Sequence, residues 1–99
     1  MPSWLYAVIV YAIRYVPSPL VRELEIDGDV TLFHTPTNSV VVLNGTASDV
    51  WRLLDGQRTA EEIASLLGSV YHAAPATLAE GVDNALQEFS RHGLVEVSC

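Results

Sequence analysis

The hydrophobic period of this chain changes once, at Asn44-Gly45, and that change divides it into a strand half and a helix half. Before it, Leu20, Arg22, Leu24 and Ile26 alternate with Val21, Glu23 and Glu25, which predicts a half-buried strand with Leu24 and Ile26 inward and both glutamates toward solvent. Asp27-Gly28-Asp29 supplies a tight turn, residues 30–35 a second strand, and Pro36-Thr37-Asn38 another turn. Residues 39–43, SVVVL, form the third strand, placed at an edge of an antiparallel meander. Beyond Gly45 the spacing becomes helical: Ala47, Val50, Trp51 and Leu54 share one face, with Thr46 and Asp49 resembling a capping box and Asp55-Gly56 as the stop. Thr59 and Glu62 form a stronger T-x-x-E box for a second helix, whose apolar face is Ile63, Leu66, Leu67 and Val70.

A third helix opens at Pro75, or at Thr77 capped with Glu80, and buries Leu78, Val82, Ala85, Leu86 and Phe89. Gly93 ends it and residues 94–97 run on as a short extended tail. The expected fold is α+β, a three-stranded antiparallel sheet followed by three helices that cover one of its faces. The same order describes a winged helix-turn-helix.

At 99 residues with 49% hydrophobic side chains, one domain can bury a core without staples. Five arginines, no lysine and twelve acidic residues give a net charge of -7, a poor balance for displacing counterions from nucleic acid or anionic lipid. The third helix carries Glu80, Asp83 and Glu88 against Arg91 alone, so a DNA-reading regulator is the alternative reading, not the leading one. The single cysteine, Cys99, permits no internal disulfide, which fits a cytoplasmic location. Residues 4–13, WLYAVIVYAI, are an apolar run too short to span a bilayer, which takes about 20 residues, and they lack the marks of a signal peptide. We read residues 1–14 as an apolar arm that contacts protein and could join copies of the chain, or serve an assembly subunit. Val16-Pro17-Ser18-Pro19 separates it from a domain over residues 15–99.

Chemistry-bearing constellations are missing from the sequence. His34, His72 and His92 stand far apart without cysteine partners, so no metal site is expected. The glycines are scattered at turns and helix ends and cradle no phosphate; Gly81, inside the third helix, is the exception. Glu61-Glu62 is explained by the helix dipole, and no Ser, His and Asp set has a motif around it. The expectation is a chain with no catalytic residues, no cofactor and no enzymatic turnover of its own.

The stretch VVVLNGTASDVWRLLDGQRTAEEIASLL, residues 40–67, and the ending ALQEFSRHGLVE, residues 85–96, resemble the PqqD-like family, also called RiPP recognition elements. A hydrophobic strand, Leu-Asn, an apolar Trp-Leu-Leu face, Asp-Gly, Thr-x-x-Glu-Ile and a closing Gly-Leu recur in that order. The resemblance implies a non-catalytic module that binds the leader of a ribosomally made precursor peptide as an added strand. It presents that leader to a radical enzyme, leader peptidase or cyclase of a lasso-peptide or quinone-cofactor pathway. Carried onto this sequence, the strand is Ser39, Val40, Val41, Val42 and Leu43, and the wall on the third helix is Ala79, Asp83, Leu86 and Ser90. The family often has an acidic residue where Gly81 stands here, before Val82. An edge strand without Lys or Pro independently calls for a cover or a partner.

Overall fold

In the computed structural model, which describes residues 13–98, the chain runs β1 (Arg14–Pro17), β2 (Val21–Ile26), β3 (Asp29–His34), β4 (Ser39–Val42), α1 (Gly45–Arg52), α2 (Ala60–Gly68), α3 (Pro75–Arg91) and β5 (Val95–Ser98). The antiparallel meander has the order β2-β3-β4, and the three helices follow it as the periodicity implies. Asp27 and Gly28 both have positive φ, the left-handed conformation that a two-residue hairpin loop requires. The residues 1–14 read as an arm lie outside the described part up to residue 12; Arg14 opens β1.

The strands add one pairing and correct one expectation. Within the domain read as residues 15–99, β1 ends at Pro17 and pairs antiparallel with β5. The two form a ribbon in which both strands are edges, where proline is tolerated. The short extended tail is therefore a paired strand over Val95–Ser98. The alternation in β2 is real but its phase is reversed. Glu23 stands opposite Leu32 and Glu25 opposite Val30, so both glutamates share the helix-facing side with those two buried residues. Trp51 donates its indole N–H to Glu23 at 2.7 Å, and Arg52 pairs with Glu25. Leu24 and Ile26 consequently face outward and are more than half exposed. Both glutamates are exposed, so their carboxylates stay in water while the helix supplies each with a donor.

The core lies between β3 and the helices: Val30 and Leu32 from the sheet, Val50 and Trp51 from α1, Ile63 and Leu67 from α2, and Leu78, Val82, Leu86 and Phe89 from α3. Trp51 and Phe89 meet edge to face with centroids 5.4 Å apart. On α2 the buried stripe is Ala60, Ile63 and Leu67; Leu66 and Val70, expected inside, are exposed. The Thr59–Glu62 box is formed in both directions. The cap of α1 is Asn44, whose side chain accepts from the Ala47 N–H at 2.9 Å, while Thr46 is already helical. Asp49, freed from capping, accepts the Tyr71 hydroxyl, and that bond raises the Tyr71 ionisation above its ordinary range. Pro75 is the first residue of α3, after Ala74, which makes no side-chain cap.

Ser48 joins the two halves. It is fully buried, accepts from the Val30 N–H at 2.9 Å and donates to the Leu43 carbonyl at 3.2 Å. Its hydroxyl thus stands between Val30 and Leu43 at the end of the β3–β4 ladder. Ser48→Ala should leave both backbone groups without partners, each costing about 1–3 kcal/mol. We expect roughly 2–4 kcal/mol of lost stability in urea denaturation, and a loss below about 0.5 kcal/mol would contradict this role.

Candidate peptide-binding site

The outer edge of β4 is open: β3 pairs with one side of it, and no described strand pairs with the other. Leu43 donates its N–H to the Val30 carbonyl at 2.9 Å, which fixes the phase of the ladder. Antiparallel pairs alternate between bonded and non-bonded, so Val41 and Ser39 also bond inward to Leu32 and His34. Val40 and Val42 then turn their N–H and C=O groups to the open edge. An added strand would meet those two residues with up to four hydrogen bonds.

Beside that edge, between β4 and α3, lies a groove of 500 Å³. Its strand side is Val41, Val42 and Leu43, its floor Phe89 and Leu94, and one end Asn44, Thr46 and Ala47. The α3 wall is Gly81, Asn84, Ala85, Glu88 and His92. Gly81 and Ala85 are small, and a Cβ at Gly81 would meet no atom within 4 Å. That helical glycine therefore leaves open space in the groove. Along the rim, Asn84, Glu88 and His92 follow at helical spacing; Glu88 lies 3.5 Å from His92 and accepts from Arg91 at 2.6 Å. An apolar trough with a polar rim beside an unpaired strand suits an extended peptide that places alternate side chains inside.

Of the residues named from sequence, Val41, Val42 and Leu43 line this groove, and Ser39 and Val40 are exposed on the same strand. The four on α3 occupy other positions. Leu86 is buried in the core, Ala79 lines a separate hollow of 390 Å³ against α2, Asp83 accepts from Gln87, and Ser90 is exposed. The groove-facing flank of α3 lies on the opposite side of its buried stripe from that set. Its sequence signal is Gly81 and Ala85 beside the polar series Asn84, Glu88 and His92. Among the described residues, no group of three or more His, Cys, Asp or Glu is placed to hold a metal ion, and no helix is long and apolar enough to cross a membrane.

Comparison with solved structures finds this fold in three proteins. TbiB1, in complex with the TbiA(beta) leader peptide, is 26% identical with a TM-score of 0.75, over 82% of this chain and 94% of that one. A lasso peptide synthetase B1 complexed with its leader peptide is 16% identical with a TM-score of 0.76, over 84% and 98%. The PqqD truncation of Methylobacterium extorquens PqqCD, a stand-alone RiPP recognition element, is 24% identical with a TM-score of 0.71, over 88% and 92%. The last two, at such identities, speak to the fold alone. No curated protein sequence matches the chain. The family model that does match, over residues 29–95, is coenzyme PQQ synthesis protein D. With more than half of its residues covered by that match, the chain belongs to the PqqD family.

Proposed function

We propose that this chain is a leader-peptide-binding module, which takes the leader of a ribosomally synthesised precursor as a fourth strand on β4. It presents the bound precursor to a separate modifying enzyme or leader peptidase in the cytoplasm and performs no chemistry itself. The observation that carries this reading is the open edge of Val40 and Val42 beside an apolar groove. TbiB1, which shares the fold, is solved with a leader peptide. Ordering a free leader costs roughly 2–5 kcal/mol, which holds affinity nearer micromolar than picomolar. A DNA-reading role gains nothing from α3, whose single arginine, Arg91, is held by both oxygens of Glu88.

Titration of the precursor's leader against wild-type chain, Val42→Pro and Val41→Pro tests the proposal. Val42→Pro removes one outward donor and spares the ladder to β3, so the fold should persist while affinity falls roughly tenfold, near the upper value of one hydrogen bond. Val41→Pro should break the hairpin itself, read by circular dichroism. Precursor mass should stay unchanged on incubation with the purified chain. Equal affinities for wild type and a folded Val42→Pro, or a precursor cleaved or modified by this chain alone, would overturn the reading.

A further inference from the structure

A strand laid along β4 presents alternate side chains to the two faces of the sheet. The residue opposite Val41 points with Val41 to the helix side, into the groove, while the residues opposite Val40 and Val42 point to the outer face. In an antiparallel sheet with one solvated face, that outer set ordinarily meets water and is polar. The surface it would meet here is apolar. In register across the outer face stand Leu24, Thr31 and Val42, then Arg22, Phe33 and Val40. Leu24, Val40 and Val42 are each more than half exposed, and Thr31 and Phe33 are half-buried. On β4 and just past it the sequence is apolar without a break, Val40-Val41-Val42-Leu43, the pattern of a strand covered on both faces.

We propose that the leader is read on both faces of β4, so that its docking segment is an unbroken apolar run and not an alternation of apolar and polar residues. The inference rests on the reading that the leader pairs with β4, and it names the class of leader that does so. Val40 and Val42 carry the outward N–H and C=O groups, so the leader residues opposite them form the hydrogen-bonded pairs. Their side chains then share the outer face with Val40 and Val42, with opposing Cβ atoms about 5 Å apart. A β-branched or aromatic residue at either place removes a valine from water, and a cross-strand pair of this kind adds up to about fivefold in affinity. A charged residue there would leave the valine wet. Opposite Leu43, Val42, Val41 and Val40 the leader therefore points to groove, outer face, groove and outer face in turn, and every one of those positions is apolar.

Selection of short random peptides displayed on phage tests this, with the full-length chain, a Val40→Lys and Val42→Lys double variant, Gly81→Leu and Val42→Pro as parallel targets. The wild-type chain should enrich peptides with consecutive β-branched or aromatic residues. Both lysines stand at exposed edge positions, where lysine is a natural occupant. The double variant should turn every second position of the enriched peptides to Asp or Glu, while the positions between stay apolar. Gly81→Leu should do the converse, restricting the groove set to small residues and sparing the outer set. Peptides from the wild-type chain that alternate apolar with polar residues, or an apolar outer set that survives both lysines, would overturn the inference and leave the added strand in place. Equal enrichment on a folded Val42→Pro, or no enriched peptide on the wild-type chain, would overturn the added strand and this inference together. Val40→Thr with Val42→Thr, close to valine in shape, repeats the selection should the lysines perturb the circular dichroism, and should turn the outer set toward Thr and Ser.

Discussion

Gly81→Leu is expected to lower leader affinity by roughly 10- to 150-fold while making the domain more stable, two effects that a residue of merely structural importance would not combine. Gly81 lies inside α3, with ordinary helical geometry and open groove beside it. Removing an interior glycine from a helix gains up to about 1 kcal/mol. The leucine side chain would occupy the space in which a leader anchor is buried, forfeiting about 1.5–3 kcal/mol of burial, which is the stated range of affinity. Gly81→Ala should share the gain in stability and leave most of the groove open. Calorimetric titration and urea denaturation of the two variants check this. Unchanged affinity in a stable Gly81→Leu protein would remove the α3 wall from the binding surface.

The second large effect belongs to the core. Phe89→Ala should cost about 3–5 kcal/mol, because Phe89 is 2% exposed and supplies both the edge-to-face partner of Trp51 and the groove floor. Against a total of about 5–15 kcal/mol for a domain of this kind, the melting temperature should fall by more than ten degrees. Leader affinity should fall with it. Leu66→Ala is the contrast: the sequence period places Leu66 in the core, yet it is 43% exposed, and its truncation should cost less than about 1 kcal/mol. If the two truncations cost the same, the packing described for α2 and α3 is incorrect.

Leu66 illustrates what local sequence can and cannot reveal. Helical spacing located α2, and the reciprocal Thr59–Glu62 cap fixed its start, since both signals lie within a few residues. Which of several apolar residues on a helix turns inward depends on its neighbour, here α3. The same holds for β2. Alternation identified the strand, but its phase was decided by Trp51 and Arg52, which hold Glu23 and Glu25 from more than 25 residues away. The β1–β5 ribbon joins two four-residue strands from opposite ends of the chain, one ending in proline, and neither carries a strong local pattern. Ser48 was silent for another reason: a serine in a helical window reads as polar surface, and only the ends of β3 and β4 give its hydroxyl a buried task. The open edge was legible because SVVVL lacks the charges and prolines that protect exposed strands. The helix flank beside it was less so, since the hydrophobic period defines the buried stripe of α3 and not the side of it that meets a groove.

The central claim, a leader added as a strand to β4, is tested most directly by amide hydrogen exchange of the full-length chain with and without leader. The ladder phase predicts that Val41 and Leu43 amides, bonded to β3, are protected in both states. The Val40 and Val42 amides should exchange quickly alone and slow at least tenfold when leader is bound. Bound leader that leaves Val40 and Val42 exchanging as before, or that protects instead the hollow between α2 and α3, would contradict the account.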